Sequence, residues 1–352
     1  MDASPAAAAE SPTGVDVDRL AAWATHALPR FRPPFRAEVI AGGRSNITVR
    51  CTDADGRPFV IRRPPLHGVL PTAHDMGREH RIISALGPTP VPVPEALAYC
   101  ADPEVLGAPF YAMSYVDGVV LNDNATAEAT LDLAARATAG ESLVDSLVAL
   151  HTVDVDAVGL GDLARRDELV RRQLKRWFAQ VQTGGARELP TVARVHDRLA
   201  ERIPTQREST IVHGDFRLGN TVVDRHGSVL AVLDWEICTL GDPMADVGYL
   251  LATWTEPGDD LSWDPHMPSV APGFASRAEM LARYADRSGR DVSEIDYFVA
   301  FSFWRLACIL EGVYSRMLQG ARGERAGDTD AEVMRDRVDA CAALAERHAA
   351  KL

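Results

Sequence analysis

The chain has 352 residues, of which 46% are hydrophobic and 25% charged, and its formal net charge is −13. This length is sufficient for two lobes, and the proportions are those of an ordinary globular protein. The acidic balance argues against nucleic-acid binding, which needs a basic surface. No run of about 18 apolar residues occurs, so the sequence predicts no membrane span.

The first 14 residues are rich in alanine and proline and have neither a basic start nor an apolar stretch. They predict a disordered tail rather than a secretory signal. The five cysteines are scattered and form no Cys-x-x-Cys pair. This pattern indicates reduced thiols rather than a disulfide framework or a zinc site, so we expect a cytoplasmic protein.

Residues 15–116 predict a small β-rich lobe. Apolar residues at helical spacing predict helices over 15–28, where Pro29 ends the pattern, and over 75–86. Extended, apolar stretches predict strands at residues 37–50, 59–62, 96–100 and 109–116.

The composition changes near residue 117, and residues 117–352 predict a larger, mainly helical lobe. The pattern predicts helices at 126–151, 167–183, 191–202, 277–289, 294–316 and 331–351. His151, at the end of the first of these, is interpreted as structural. Residues 255–275 form a long segment rich in proline and glycine, which makes it a candidate gate for a substrate pocket.

The strongest motif lies in residues 211–236, where H-G-D-F-R-L-G-N precedes a predicted hairpin that ends at Asp234. Phosphoryl transfer needs a carboxylate that takes a proton from the acceptor hydroxyl and hard oxygen ligands for Mg²⁺. Asp215 suits the first task, and Asn220 and Asp234 suit the second. The alternative, that both aspartates are turn or cap residues, is disfavoured because Asn220 and Asp242 belong to the same pattern.

This motif, followed by V-L-D-W-E-I-C-T-L-G-D-P-M-A-D-V-G-Y-L, resembles the aminoglycoside phosphotransferase family of small-molecule kinases. The resemblance is strongest to the branch that also occurs fused to acyl-CoA dehydrogenases, and it covers roughly residues 37–316. It implies an α+β, bilobal, protein-kinase-like fold with a small β-rich lobe and a larger helical lobe. It also implies ATP and Mg²⁺ as cofactors.

The resemblance implies that Arg62 grips the nucleotide phosphates and that Glu79 holds it. Protein kinases have a lysine at the end of the corresponding V-A-I-K strand, but arginine also carries the charge needed. The alternative is an exposed arginine on an edge strand. The Gly-Gly-Arg-Ser-Asn stretch is implied to cover the phosphates, although by itself it equally suits a β-turn. The other implied nucleotide contacts are Gly43, Ser45, Asn46, Met113, Ser114 and Val116.

Supporting roles are implied for Asp246, Asp242 and His213, which would hold the catalytic loop rather than react. Asp242 precedes a proline and is predicted to be a helix N-cap. The candidate groups that line the acceptor pocket are Glu311, Tyr314 and Arg316.

The predicted reaction is transfer of the ATP γ-phosphate to a hydroxyl of a small molecule. We expect a neutral or anionic acceptor, such as a hydroxyacyl-CoA, because the helix over 297–316 offers one acid, Glu311, beside Arg305 and Arg316. Acids in residues 256–260 stand against this. The alternatives are an aminoglycoside or other amino-alcohol kinase, a silent nucleotide-binding module, and a metal-dependent hydrolase that uses Asp215, Asp234 and His213. The oligomeric state is not predicted.

Overall fold

The computed structural model describes residues 14–41, 46–65, 75–260, 262–318 and 331–352. These residues divide into two compact units. The chain passes from the first unit to the second between Val116 and Asp117, and the short segment Thr89–Val93 also belongs to the second. The functions expected of the two predicted lobes stay predictions.

The first unit is a five-stranded antiparallel sheet with strand order β1-β2-β3-β5-β4. Among the described residues of this unit, three helices accompany the strands. The elements are α1 (Val17–Ala27), β1 (Arg36–Ala41), β2 (Ile47–Thr52), β3 (Pro58–Arg63), α2 (Met76–Leu86), β4 (Ala96–Cys100), α3 (Pro103–Leu106) and β5 (Phe110–Ser114). The strand predicted at 37–50 is therefore two strands, and the residues between them include positions outside the described part of the chain.

Aspartates cap the helices of this unit. The Asp16 carboxylate accepts the first free N–H groups of α1, and Asp75 does the same for α2 by accepting from Arg78. Such caps satisfy donors that have no partner within the helix. The apolar face of α1 packs with the inward-facing residues of β2, β3 and β5 into one core, which includes Leu20, Phe59 and Ile61.

The second unit contains eight helices and two short antiparallel pairs among its described residues. Strand β6 pairs with β9, and β7 pairs with β8. Its elements are α4 (Asn124–Thr130), α5 (Leu133–Thr152), α6 (Leu169–Gly184), α7 (Pro190–Glu201), β6 (Thr210–Val212), β7 (Thr221–Val223), β8 (Val229–Val232), β9 (Thr239–Gly241), α8 (Met244–Ala252), α9 (Arg277–Ser288), α10 (Ile295–Leu318) and α11 (Ala331–Ala349). The helix predicted at 126–151 is two helices, because Asp132 caps a new start by accepting the N–H of Ala135.

Helix α10 is the core helix of this unit and packs against α6, α7, α8 and α11. By length and composition it would pass as a membrane-spanning helix, but 67% of its most apolar window is buried inside the protein. Such burial is expected of a central helix in a globular core. Helix α8, which is buried along its entire length, lies against α10.

Candidate active site

The catalytic loop begins where β6 ends. Pairing of β6 with β9 places His213, Gly214 and Asp215 directly after the strand. Gly214 adopts a φ of 87°, and a Cβ at this position would lie 3.1 Å from the Ile237 side chain. Glycine is therefore required by both the backbone conformation and the available space.

Asp246, in the first turn of α8, binds the backbone of this loop through its carboxylate. One carboxylate oxygen accepts the N–H of His213 at 2.6 Å, and the other accepts the N–H of Gly214 at 2.7 Å. Burial opposes the charge of this completely buried side chain. The interactions with His151, His213 and Gly214 nevertheless lower the pKa of Asp246, so it is ionised. The expected supporting position of Asp246 is confirmed.

His151, near the end of α5, contacts the Asp246 carboxylate. Its Nε2 lies 3.3 Å from the Asp246 carboxylate, and its Nδ1 lies 2.8 Å from the Tyr284 hydroxyl. Burial lowers the pKa of His151 although Asp246 opposes this, so the ring is neutral at neutral pH. The structural interpretation of His151 is confirmed.

His213 anchors the loop through both ring nitrogens. Nε2 donates to the Leu233 carbonyl at 2.9 Å, and Nδ1 accepts the N–H of Asp215 at 3.2 Å. A histidine with both nitrogens bonded to the backbone has none left for a metal. This arrangement disfavours the metal-dependent hydrolase, which needs His213 as a ligand.

Asn220 holds one oxygen of the Asp215 carboxylate, and Arg217 and Tyr249 lie close to this carboxylate. Asn220 Nδ2 donates to Asp215 Oδ2 at 2.7 Å and to the Asp215 carbonyl at 2.8 Å. Asp215 Oδ1 is buried without a hydrogen-bond partner among the described residues, and Arg217 Nε lies 3.4 Å from it. An unsatisfied buried acceptor costs free energy in a folded protein, and Arg217 and Tyr249 are donors close to this carboxylate.

Asp234 lies two residues after β8, in a left-handed conformation with a φ of 65°. The residue before it, Leu233, donates its N–H to the Asn220 carbonyl at 2.8 Å, which ties the end of the hairpin to the catalytic loop. A non-glycine residue with positive φ is strained, and such strain is concentrated at functional sites.

The donor set of Asn220 and Asp234 suits magnesium. Both hydrogen bonds of the Asn220 side chain are made by its nitrogen, so its amide oxygen is not used by them. The described residues contain no group of three or more His, Cys, Asp and Glu side chains placed to hold a metal. One amide and one carboxylate nevertheless match a cation that takes its remaining ligands from phosphates and water.

Asp242 differs from its predicted role. The N-cap residue of α8 is Pro243, so the prediction that Asp242 is the N-cap is wrong by one residue. Its carboxylate still accepts the N–H of Met244 at 2.9 Å. Burial raises the pKa of Asp242 to about 6, well above the usual value of an aspartate.

In the first unit, Arg62 pairs with Glu79 as predicted. Arg62 Nε donates to Glu79 Oε2 at 2.8 Å, and Asn46 and Tyr111 also donate to this carboxylate. Arg62 is buried on β3, which is paired on both sides, so the alternative of an exposed edge-strand arginine is wrong. The contact of Arg62 and Asn46 with a nucleotide stays a prediction.

Three of the implied nucleotide contacts, Met113, Ser114 and Val116, lie at the end of β5 or just after it, where an adenine ring would bind the backbone. Met113 is buried within the sheet. Ser114 donates its backbone N–H to the Glu95 carbonyl at 2.9 Å, so this N–H is not available to an adenine ring. Val116, half-buried, follows the strand without regular structure. Gly43 and Ser45 lie outside the described residues.

The candidate acceptor residues lie near the end of α10. Glu311 is completely buried, and its oxygens accept the N–H of Ala186 at 2.9 Å and Arg187 Nε at 3.4 Å. Tyr314 lies under the Arg187 guanidinium, and Arg316 is exposed. Glu311 is thus already used by the loop between α6 and α7, and the role of all three in acceptor binding stays a prediction.

Two residues that the sequence analysis did not assign to the site surround Asp215. Arg217 lies within the motif, and its spacing alone could have identified it. Tyr249 follows Asp246 by three positions, which places the two on one face of α8. The pKa of Tyr249 is raised first by burial and then by the Asp215 carboxylate, which indicates that the phenol and this carboxylate are neighbours.

The model of the phosphotransferase enzyme family matches residues 36–294. The chain belongs to this family. Acyl-CoA dehydrogenase family member 10 of Mus musculus is 35% identical to it over 79% of this chain and 26% of that protein. The chain spans between 26% and 40% of the length of the first curated relatives it matches.

Solved structures place the fold in the same family. A protein from Ralstonia eutropha JMP134, described as an aminoglycoside phosphotransferase, has a TM-score of 0.80 at 31% identity, covering 96% of this chain and 98% of its own. A mutant aminoglycoside phosphotransferase, solved in ternary complex with AMP-PNP and hygromycin B, has a TM-score of 0.57 at 17% identity, covering 88% of this chain and 93% of its own. The predicted family and the predicted bilobal, protein-kinase-like α+β fold are confirmed.

Proposed function

We propose that this protein is an ATP- and Mg²⁺-dependent kinase that transfers the γ-phosphate to a hydroxyl group of a small molecule. The observation that carries the proposal is the state of Asp215. Asn220 fixes one of its oxygens, and the other makes no hydrogen bond of good geometry among the described residues, although Arg217 and Tyr249 lie close to the carboxylate. An acceptor hydroxyl supplies such a hydrogen bond, and the fixed carboxylate orients it.

In the proposed reaction, the acceptor oxygen forms a bond to the γ-phosphorus while the bond from this phosphorus to the bridging oxygen breaks. The bridging oxygen leaves with the electron pair, as part of ADP. The hydroxyl proton moves to Asp215 Oδ1. Asp246 and His213 keep the loop in place throughout, because together they bind the backbone of residues 213–215.

Asn220 and Asp234 would hold the magnesium ion through oxygen atoms. The bound ion would neutralise charge on the phosphates. The strained backbone at Asp234 supports this assignment, since a φ of 65° is retained there at a cost that glycine would avoid.

Nucleotide binding by the first unit is proposed to depend on Arg62. The Glu79 carboxylate fixes the orientation of the guanidinium, and the Asn46 amide fixes the carboxylate. A guanidinium held in this way loses little conformational entropy when it binds phosphate oxygens. The AMP-PNP bound in a structure of the same fold supports a nucleoside triphosphate as donor.

We further propose a hydroxyacyl-CoA-like acceptor. Relatives named as acyl-CoA dehydrogenase family members support an acceptor from acyl chemistry. The acids of residues 256–260 and Glu311 are paired with arginine: Glu256 and Asp259 with Arg277, Asp260 with Arg347, and Glu311 with Arg187. A desolvated polyamine needs carboxylates without such partners. That residues 255–275 form a gate also stays a proposal.

The aminoglycoside alternative is supported by the description of the Ralstonia structure and by the structure solved with AMP-PNP and hygromycin B. Initial rates of ADP release with a panel of hydroxyacyl-CoAs and a panel of aminoglycosides decide between the two. We expect saturable turnover of at least one hydroxyacyl compound. Saturable turnover confined to an aminoglycoside would refute the proposed acceptor and keep the kinase.

The reaction itself is tested with Asp215→Asn. We expect transfer to fall about 10²–10⁴-fold, the usual contribution of a general base. ATP–Mg²⁺ should still raise the melting temperature, because the carboxylate acts on the acceptor. Asp197→Asn, at an exposed position of α7, is the matched control and should leave the rate unchanged. A rate of Asp215→Asn within about threefold of the parent would exclude Asp215 as the base.

The silent nucleotide-binding module predicts a different result. Such a module would show the thermal shift with ATP–Mg²⁺ but no ADP release with any acceptor. Binding and turnover measured on the same preparation therefore separate the module from the kinase.

A further inference from the structure

Arg305 is a buried cation next to the catalytic loop. It lies on α10 and is 8% exposed. Its Nη2 donates to the Gly214 carbonyl at 2.5 Å, and its guanidinium lies 4.8 Å from the centre of the Tyr249 ring. Its Nε is buried and has no hydrogen-bond partner among the described residues.

No carboxylate among the described residues forms an ion pair with Arg305. The other deeply buried arginines are compensated differently. Arg62 pairs with Glu79. Arg136 donates to three backbone carbonyls, and Arg63 donates to the carbonyls of Pro64 and Gly14. Arg305 has one carbonyl and one aromatic face. Burying a cation with so few partners is unfavourable unless an anion binds to it.

Arg305 lies close to the residues that surround Asp215. Gly214 directly precedes Asp215, and Tyr249 interacts electrostatically with Asp215, Arg217 and Arg305. The Asp215 carboxylate lies 3.4 Å from Arg217 Nε and so offsets that cation. Asp234 also interacts electrostatically with Arg217, whereas Arg305 has no ion pair of its own with a carboxylate of the described residues.

We propose that Arg305 binds an anionic group of the acceptor, a carboxylate or a phosphate, close to the hydroxyl that is phosphorylated. This inference rests on the proposed kinase activity, and it favours a hydroxy acid with a free carboxylate or phosphate over a hydroxyacyl-CoA, whose carboxyl group is a neutral thioester. The guanidinium matches a carboxylate or phosphate in charge and in its planar set of donors. The same charge repels an ammonium group at this position.

The nucleotide γ-phosphate is a second possible source of the same chemistry. The test therefore measures acceptor and nucleotide separately. Three probes share a four-carbon chain and a terminal hydroxyl and differ in charge: 4-hydroxybutanoate, butane-1,4-diol and 4-aminobutan-1-ol. Their dissociation constants are measured by NMR with Mg²⁺ and AMP-PNP present, and the affinity for AMP-PNP is measured alone.

For the parent protein we expect 4-hydroxybutanoate to bind at least about 30-fold more tightly than the diol, the effect of one buried charge pair. In Arg305→Met this ratio should fall to about one, and Arg305→Lys should keep most of it. The exposed Arg194→Met on α7 is the control and should match the parent. The ratio compares ligands on one protein, so partial unfolding of a variant does not alter it.

Three results would overturn the proposal: no preference for the carboxylate in the parent, including no binding of any probe; an unchanged preference in Arg305→Met; or an effect of Arg305→Met confined to AMP-PNP. Failure of the proposed kinase activity gives a different result, since AMP-PNP would not bind or no hydroxy compound would be phosphorylated. Charge preference and turnover are separate measurements, so the two failures are distinguishable.

Discussion

Asp246 shows how a completely buried carboxylate remains ionised. It accepts two backbone N–H groups at 2.6 and 2.7 Å and lies at the N-terminal turn of α8, where the helix dipole favours negative charge. Its lowered pKa means that its contribution to stability is present above the unfolded value near 4. This contribution is lost as the pH falls through the folded value.

The contribution of Asp242 to stability depends on pH in the opposite direction. Burial, with Glu208 and Glu294 nearby, raises its pKa to about 6. Because the folded protein binds this proton more tightly than the unfolded chain, the stabilisation is present at low pH and is lost as the pH rises to about 6. We expect Asp242→Asn to raise the free energy of unfolding at pH 7.5 by up to about 3 kcal/mol, with a smaller gain at pH 5.

Denaturant titrations of the Asp242 variant at both pH values measure this effect. Asp286→Asn, at an exposed position of α9, is the control and should show no pH-dependent gain. An equal gain at pH 5 and pH 7.5 would mean that ionisation of Asp242 is not its source.

Two substitutions of Asp234 distinguish the effect of its backbone strain on stability from the effect of its carboxylate on metal binding. Both Asp234→Gly and Asp234→Ala remove the carboxylate, so both should weaken Mg²⁺-dependent ATP binding to the same extent. Only glycine relaxes the φ of 65°, and we expect Asp234→Gly to be about 1 kcal/mol more stable than Asp234→Ala. Calorimetric Mg²⁺ titrations and melting curves measure the two effects. Unchanged Mg²⁺ titrations would assign the metal elsewhere.

At the scale of elements, the packing of α8 against α10 positions the catalytic loop. A Cβ at Gly248 would lie 2.5 Å from the backbone of Phe298 on α10. Glycine therefore permits this close approach of the two helices. Because Asp246 lies only two residues earlier, a shift of α8 would move the carboxylate that holds the loop.

We expect Gly248→Ala to lower the free energy of unfolding by about 1–3 kcal/mol, the usual cost of overpacking, and to lower kcat. The matched control is Gly184→Ala at the end of α6, where a Cβ would have no atom within 4 Å. That change should be neutral or stabilising by up to about 1 kcal/mol, because alanine favours the helix. Melting curves measure the change in stability of both variants, and initial rates measure the change in kcat. Equal stability of the two variants would show that the α8–α10 contact tolerates a methyl group.

At the scale of the whole molecule, the groups proposed for catalysis lie in different units. Arg62 and Glu79 belong to the first unit, and Asp215, Asn220 and Asp234 to the second. A change in the first unit can therefore test nucleotide binding without altering the residues of the catalytic loop. The buried Arg62–Glu79 pair complicates such a test, because loss of one partner leaves the other uncompensated.

A double variant distinguishes the loss of stability from the loss of nucleotide binding. We expect Arg62→Met to destabilise the protein by about 3–5 kcal/mol and to abolish the thermal shift caused by ATP–Mg²⁺. Adding Glu79→Gln removes the unpaired charge and should restore most of the stability, but not the shift. Arg36→Met, exposed at the start of β1, is the control. A restored shift in the double variant would show that Arg62 does not contact the nucleotide.

Sequence by itself determined the catalytic motif, the family and most helices, because these are encoded in local spacing. The helix predicted at 294–316 is Ile295–Leu318, for example. The tertiary structure decided which distant residues meet. His151 lies 95 positions from Asp246, and Arg305 lies 91 positions from Gly214. No local pattern predicts such pairs, because they depend on how α5, α8 and α10 pack. The charge balance around Asp215 follows from that packing.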